Sequence, residues 1–337
     1  MRKEAMLWEK CEGDTVHCYL CAHHCRIPEN GFGFCSVRQN IKGCLYTYAY
    51  GRAIANHVDP IEKKPFYHFL PGSYAYSIAA AGCNFRCSFC QNWSISQLSV
   101  TDEKIEGYEL LPETIVKEAL DKSCQSISYT YTEPTIFFEY AYDVCRIAKD
   151  KGLFNTFVTN GFMTKETVDC GAGVIDAANI DLKFFRDSAY KKICKGRLQP
   201  VLDSIQYMKD KGIWIEITTL VVPGVNDSDE EVKDIAEFIV KVDKSIPWHI
   251  SRFHPDYKDM ELPLTPVDTL NKAFEIGKSA GLEYVYLGNV TAETGTLCPG
   301  CGKLLVERTG VSAACQPDFL KNGKCGKCGR TISGIWN

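Results

Sequence analysis

No run of about 18 apolar residues occurs in this 337-residue chain, so the sequence offers no candidate membrane-spanning helix. The first 30 residues hold Cys, His and charges in place of an apolar h-region. That argues against a secretory signal and for a cytoplasmic protein. Positive charge is not in excess either: 38 Lys and Arg against 42 Asp and Glu leave a net charge of -4. The chain therefore carries no general electrostatic footprint for nucleic acid, although a local basic patch is not excluded. Long periodic segments are scarce at both ends. Residues 1–72 and 291–337 are rich in Cys and Gly, and each is too short to hold a core unaided. They read as small metal-stabilised caps around a domain at 73–290.

Cysteine is plentiful. Eighteen cysteines in a chain without a secretory signal imply metal ligation more than disulfides. Four lie in Cys18–Cys35, three in Cys83–Cys90, and four in Cys298–Cys328 once Cys315 is set aside. The other cysteines, among them Cys124, Cys145 and Cys194, are scattered and read as small buried hydrophobes.

The middle of the chain alternates strand-like and helix-like segments. Tyr74–Ala80, Ser126–Tyr131, Leu153–Thr159, Val174–Lys183, Trp214–Val222, Trp248–Phe253 and Tyr284–Leu287 read as strands. Helices are expected over 135–151, most of 187–211, 228–242 and 266–281. Repeated strand–helix units imply a parallel sheet with right-handed crossovers, and about six of them suit an α/β fold of the partial (β/α)6 barrel kind. In such a sheet the chemistry sits at the C-terminal ends of the strands.

The first strand runs into Gly82-Cys83-Asn84-Phe85-Arg86-Cys87-Ser88-Phe89-Cys90. Three thiolates at C-x3-C-x2-C spacing can each take one iron of a 4Fe-4S cluster. The next cysteine is Cys124, so one iron is left for a ligand that is not protein. A zinc knuckle or buried thiols are the alternatives. The run resembles the radical S-adenosylmethionine (SAM) enzymes, where Phe89 matches the aromatic residue usual before the last cysteine. That resemblance implies a cluster whose open iron binds SAM and whose electron cleaves it to a 5′-deoxyadenosyl radical.

The strand ends carry further matches. Tyr131-Thr132-Glu133-Pro134 resembles the Gly-Gly-Glu-Pro-like motif of relatives of the pyruvate formate-lyase activating enzyme, with both glycines replaced. By that resemblance Glu133 would hold the SAM ammonium; the plainer reading is a helix cap. Asn160, in a Thr-Asn-Gly turn, would serve as a polar ligand of the ribose or carboxylate. Asp181 and Lys183 share one face of a strand. The resemblance has Lys183 meet the SAM carboxylate and Asp181 the ribose or a cation, against the alternative of an internal salt bridge. His254, in Phe253-His254-Pro255, matches a histidine near the cofactor in that branch. Upstream, the run Asp59–Gly72, with Cys90-Gln91-Asn92, resembles the AmmeMemoRadiSam-system radical SAM proteins over nearly the whole chain. Lys63 and Lys64 in this run either face the site or are solvated.

Two C-x2-C-G knuckles, Cys298/Cys301 and Cys325/Cys328, have zinc-ribbon or rubredoxin-like spacing, and zinc is expected there. Cys18, Cys21, Cys25 and Cys35 make a second four-thiolate set, with His17, His23 and His24 as alternative ligands; zinc and a second iron-sulfur cluster both fit. The sequence thus points to a radical SAM enzyme. It would be fed by a flavodoxin- or ferredoxin-like electron donor and would act on a protein, with AMMECR-type or Memo-type proteins as partners. Radical modification of a small molecule or RNA is the alternative, and a non-catalytic electron carrier or scaffold is the alternative from another class.

Overall fold

The computed structural model describes residues 2–98, 105–290 and 294–337. Its centre is an eight-stranded sheet. In chain order the strands are β1 (Ala55–Pro60), β2 (Tyr74–Ala79), β3 (Ser126–Tyr129), β4 (Phe154–Thr159), β5 (Ala177–Asp181), β6 (Trp214–Val221), β7 (Trp248–Arg252) and β8 (Val285–Gly288). They lie side by side in that same order. Strands β2 to β8 are parallel, and β1 pairs antiparallel with β2. Six helical connections join the parallel strands: α1 (Pro112–Asp121), α2 (Phe138–Asp150), α3 (Lys165–Gly171), α4 (Leu198–Asp210), α5 (Asp229–Asp243) and α6 (Val267–Ala280). This is the expected α/β radical-SAM-like partial barrel, with cysteine clusters in both extensions.

The local sequence explains these elements. All four residues of β3 are buried, as a parallel strand covered on both faces requires. Helix α5 begins where the Ser228 hydroxyl accepts from the Glu231 N–H, with Asp229, Glu230 and Glu231 in its first turn, and it buries Val232, Ile235, Ala236 and Ile239. The expected helix over 187–211 is broken. Lys195 adopts a left-handed φ of 59°, which ends a short helical turn and lets α4 start afresh at Leu198. Helices α1 and α3 were not expected. Pro112 at the first position of α1 and the Thr164 side-chain cap of α3 mark their starts.

Two features shape the interior. Strand β1 belongs to the region read as an N-terminal cap, yet it forms an edge of the main sheet. The chain then turns along the sheet face that bears the site. Glu216 shares that face with Thr218 and Leu220, because alternate strand residues point the same way. Its carboxylate is buried and accepts from the Tyr67 and His68 N–H groups at 2.8–3.0 Å and from His249 at 2.6 Å. Asn179 donates to the Pro65 carbonyl at 2.8 Å. The C-terminal ribbon docks on the same segment: Phe69 and Ile335 form a parallel bridge, and the Leu70 N–H donates to the Ile335 carbonyl at 2.7 Å. No helix among the described residues is long and apolar enough to cross a membrane.

Candidate active site

A cavity of about 560 Å³ opens at the C-terminal ends of β2 to β7. One wall is the loop after β2, with Cys83, Cys87, Phe89 and Cys90; successive strand ends add Glu133, Asn160, Asp181, Lys183, Thr218 and Ser251. Six separate stretches of sequence therefore converge because parallel strands deliver all their C-terminal ends to one side.

The three thiols fit a cluster. None is in a disulfide, and each acts electrostatically on the other two. The Phe85 N–H donates to Cys83 Sγ at 3.3 Å, and Ser96 Oγ lies 3.2 Å from Cys90 Sγ. Burial pushes the Cys83 and Cys90 thiols up, so ligation there must release protons. Phe89 is buried and meets Phe184 edge-on at 5.9 Å.

Glu133 lies 2% exposed at the cavity wall. Its Oε1 accepts from the Thr135 N–H at 3.0 Å, the Thr135 hydroxyl at 2.5 Å and the Thr159 hydroxyl at 2.7 Å. Its Oε2 accepts from the Asn160 N–H at 2.8 Å. Burial lifts its pKa, and these donors pull the other way. Glu133 is thus both a cap for the turn that starts at Pro134 and a cavity-lining carboxylate, and Oε2 keeps a free lone pair. Asn160 donates to Asn84 Oδ1 at 2.7 Å, which ties the β4 end to the cysteine loop. Asp181 and Lys183 pair at 2.8 Å. Burial lowers the Lys183 pKa, but Asp181 and the nearby thiols outweigh it and hold the ammonium charged. The ammonium retains two further donors.

His254 corrects the sequence reading. It is exposed and does not line the cavity. Phe253 turns inward and is fully buried, so its neighbour in an extended segment faces out. From this strand it is Ser251 that reaches the cavity.

Sequence reasoning missed two groups. Cys194, taken for a packing residue, is buried with its Sγ 3.3 Å from Cys87 Sγ. The other is the contact of Asp59 and Tyr131 with Lys64, which the sequence offered only as a lysine either facing the site or solvated. Lys64 is 2% exposed, lines the cavity, bonds Asp59 at 2.7 Å and sits 4.1 Å over the Tyr131 ring. Burial pulls its pKa down to about 8 against the pull of Asp59. Tyr131 also donates to Asp59 and takes a left-handed φ of 64°. By the resemblance drawn from the sequence it stands at the first glycine of the Gly-Gly-Glu-Pro-like motif, and glycine would adopt that backbone without strain. Here the contacts to Asp59 and Lys64 hold a tyrosine in it. Lys63 is half-exposed and bonds the same carboxylate at 2.7 Å.

The Radical SAM superfamily pattern matches residues 77–239. The "Uncharacterized protein MJ0808" of Methanocaldococcus jannaschii is 44% identical over 333 residues, 98% of each chain. The chain belongs to the radical SAM superfamily. The pyruvate formate-lyase 1-activating enzyme of Escherichia coli (strain K12) is a distant radical SAM relative, 25% identical over 181 residues, covering 50% of this chain and 71% of that one. In three dimensions the crystal structure of a radical SAM methyltransferase from Sphaerobacter thermophilus aligns with a TM-score of 0.52 at 16% identity, over 68% of this chain and 71% of that one. That likeness concerns the fold.

The C-terminal knuckles form a second centre. The sulfurs of Cys298, Cys301, Cys325 and Cys328 all lie within 4.8 Å of one another, with Cys298 to Cys328 at 3.5 Å and Cys301 to Cys325 at 3.7 Å. Gly302 and Gly329 take φ of 69° and 74°, and their N–H groups close matching turns onto Cys298 and Cys325 carbonyls at 2.8 Å. Burial would raise the Cys325 thiol, but the N–H groups of Cys328 and Lys327 and the neighbouring thiols pull it down to about 6. This four-cysteine site suits a metal ion.

Proposed function

We propose that this radical SAM enzyme acts in the manner of the activating enzymes, abstracting hydrogen from a protein substrate. Cys83, Cys87 and Cys90 would hold the 4Fe-4S cluster. When bound, the cluster supplies the electron that cleaves SAM to a 5′-deoxyadenosyl radical. Glu133 Oε2 would accept from the SAM ammonium, Lys183 would donate to its carboxylate, and Asp181 and Asn160 would take the ribose side, with Phe89 packing beside the cluster loop. The observation that carries this reading is one cavity lined by three unpaired thiols, a carboxylate and an ammonium. An electron carrier has no use for such a polar mouth.

Membership of the AmmeMemoRadiSam system rests on the residue run Asp59–Gly72 and names AMMECR-type or Memo-type proteins as partners. A flavodoxin- or ferredoxin-like donor, a cytoplasmic location and zinc at the C-terminal knuckles complete the proposal.

The test is anaerobic. Iron-loaded protein, dithionite and SAM are mixed and 5′-deoxyadenosine is quantified. Wild type is expected to form it, and Cys83→Ala, Cys87→Ala and Cys90→Ala each to lose it. Wild-type amounts from a protein lacking all three cysteines would refute the cluster assignment. Capture of partners, with mass analysis for a modified residue, then decides whether the target is a protein.

A further inference from the structure

The four N-terminal cysteines play no part in the site above. Cys18 and Cys25 face each other across the antiparallel strands Val16–Cys18 and Cys25–Ile27. Cys21, between these strands, bridges to Met163 of the barrel. Cys35 completes the group: all six pairs among these sulfurs act on one another electrostatically, and none is in a disulfide.

Two of these sulfurs accept a hydrogen bond, and an N–H lies near each of the others. The Arg38 guanidinium reaches Cys18 at 3.2 Å, and the Phe34 N–H reaches Cys25 at 3.4 Å. The N–H groups of His23 and Val37 face Cys21 and Cys35. Arg38 is 1% exposed and balanced by buried Glu139. A buried cation and directed N–H groups stabilise thiolates bound to metal and tune the centre they form. Thiols kept only for packing need neither. The histidines are committed elsewhere: His23 bonds the Asn84 carbonyl at 2.7 Å, and His17 lies between Glu9 and His24.

Spacing decides the kind of centre. One zinc ion with Zn–S bonds of about 2.3 Å cannot hold two sulfurs more than about 4.6 Å apart. The C-terminal knuckles meet that limit within small error. Among the described residues, no three sulfurs of the N-terminal four lie within 4.8 Å of one another, nor do those of Cys83, Cys87 and Cys90. Neither set is thus drawn in to single-ion spacing as the C-terminal four are. A cubane gives each thiolate its own iron and so calls for a wider spread.

We infer that Cys18, Cys21, Cys25 and Cys35 ligate a second 4Fe-4S cluster. Four protein ligands leave no iron open, so this centre would not bind SAM and its chemistry would be one-electron exchange. It adjoins the SAM-side loop. Gly82, just before Cys83, packs so tightly that a Cβ would meet Val37 at 2.9 Å and the Cys35 carbonyl at 3.4 Å. Arg86 clamps the same junction, donating to the Cys83 carbonyl at 2.7 Å and to the Phe34 carbonyl at 2.5 Å. The ligand set is argued from the N-terminal residues alone and does not depend on the radical SAM chemistry.

The test measures iron, acid-labile sulfide and zinc per chain, with Mössbauer spectra, after anaerobic reconstitution of the full chain. Wild type should hold about eight iron, two cubanes' worth. A Cys83→Ala/Cys87→Ala/Cys90→Ala variant should keep about four iron and about four sulfide with a cubane spectrum. A Cys21→Ser/Cys35→Ser variant should also fall to about four iron, while SAM still perturbs the EPR signal of its remaining cluster. An iron-free triple variant, or a second zinc per chain in place of iron, overturns the inference. If the triple variant does not fold, the double variant decides: wild-type iron content in it overturns the inference. Loss of the SAM effect from a double variant that still holds its cluster would count against the assigned SAM site and leave the second cluster standing.

Discussion

Replacing Glu133 separates scaffold from cofactor contact. In Glu133→Ala, four donors lose their acceptor: the Thr135 and Asn160 N–H groups and the Thr135 and Thr159 hydroxyls. Threonines 135 and 159 are at most 2% exposed, so solvent does not simply take over. A buried donor left unsatisfied costs about 1–3 kcal/mol, and a lost N-cap about 1 kcal/mol. These costs do not add, because a water can enter the space, and removing a carboxylate also ends its own desolvation cost. The net expectation is about 3 kcal/mol, at the low end for breaking a buried charged network. For a chain of this size that is a fall in melting temperature of roughly 4 °C. Glu133→Gln keeps an acceptor for Oε1's three donors and sets an amide NH2 against one N–H, so it should cost about 1 kcal/mol. The two variants then part in SAM binding. If Oε2 accepts from the SAM ammonium, Glu133→Gln with normal iron should bind SAM on the order of 30-fold more weakly, matching about 2 kcal/mol for a desolvated charged contact. Differential scanning fluorimetry of the metal-free protein gives the first quantity and equilibrium binding the second. A Glu133→Ala protein melting within a degree of wild type would refute the network argument. A Glu133→Gln protein binding SAM within threefold of wild type would leave Glu133 a cap and nothing more.

Three further outcomes are expected. Cys298→Ser or Cys325→Ser should lose about one metal ion per chain and lower the melting temperature while cluster absorbance persists, because a structural metal contributes folding energy directly; unchanged metal content in both variants contradicts this. Cys194→Ala should make the SAM-side cluster harder to reduce, by about 20–60 mV, the one-electron equivalent of losing a 0.5–1.5 kcal/mol thiol hydrogen bond to Cys87; a potentiometric EPR titration with no shift removes that role. Glu62 is buried, one of its oxygens has no partner, and burial lifts its pKa from 4.5 to about 7 despite the Gly72 N–H and Arg308. A carboxyl with a raised folded pKa stabilises the fold below about pH 4.5 and loses that contribution as pH rises through 7. Glu62→Gln should therefore match wild type near pH 4.5 and exceed it at pH 8 by up to about 3 kcal/mol; an equal difference at both pH values counts against it.

The sequence was most legible where chemistry fixes spacing along the chain. Cys83, Cys87 and Cys90 are seven residues apart end to end, and two C-x2-C-G knuckles announce their turns through Gly302 and Gly329. The seven parallel strands were legible for a related reason. Most carry β-branched or aromatic residues, as Trp214–Val221 does, and burial on both faces favours that composition; β5 has only Ile180 of that kind. Asp181 and Lys183 could be paired because they are two apart in sequence, although β5 stops at Asp181 and Lys183 lies just beyond its end. His254 was misplaced because periodicity cannot say where a strand stops; β7 ends at Arg252, and inward packing of Phe253 sends the next side chain outward.

The groups that escaped are those assembled only by the fold. Cys194 lies 107 positions from Cys87, and Asp59 lies 72 from Tyr131. No spacing rule joins such residues. The Tyr131 case shows what local reading can still extract. A bulky residue standing where relatives carry glycine implies either a changed backbone or a retained backbone held by force. Tyr131 takes a left-handed backbone, with φ at 64°, and the holding groups are the Asp59 carboxylate and the Lys64 ammonium in contact with it. Such strain costs about 1–3 kcal/mol and persists only when its surroundings over-determine it. The run Asp59–Lys64 supplies the charge pair that makes a tyrosine tolerable at the β3 end, and the same pair gives this cavity a basic group that the cysteine motif alone does not predict.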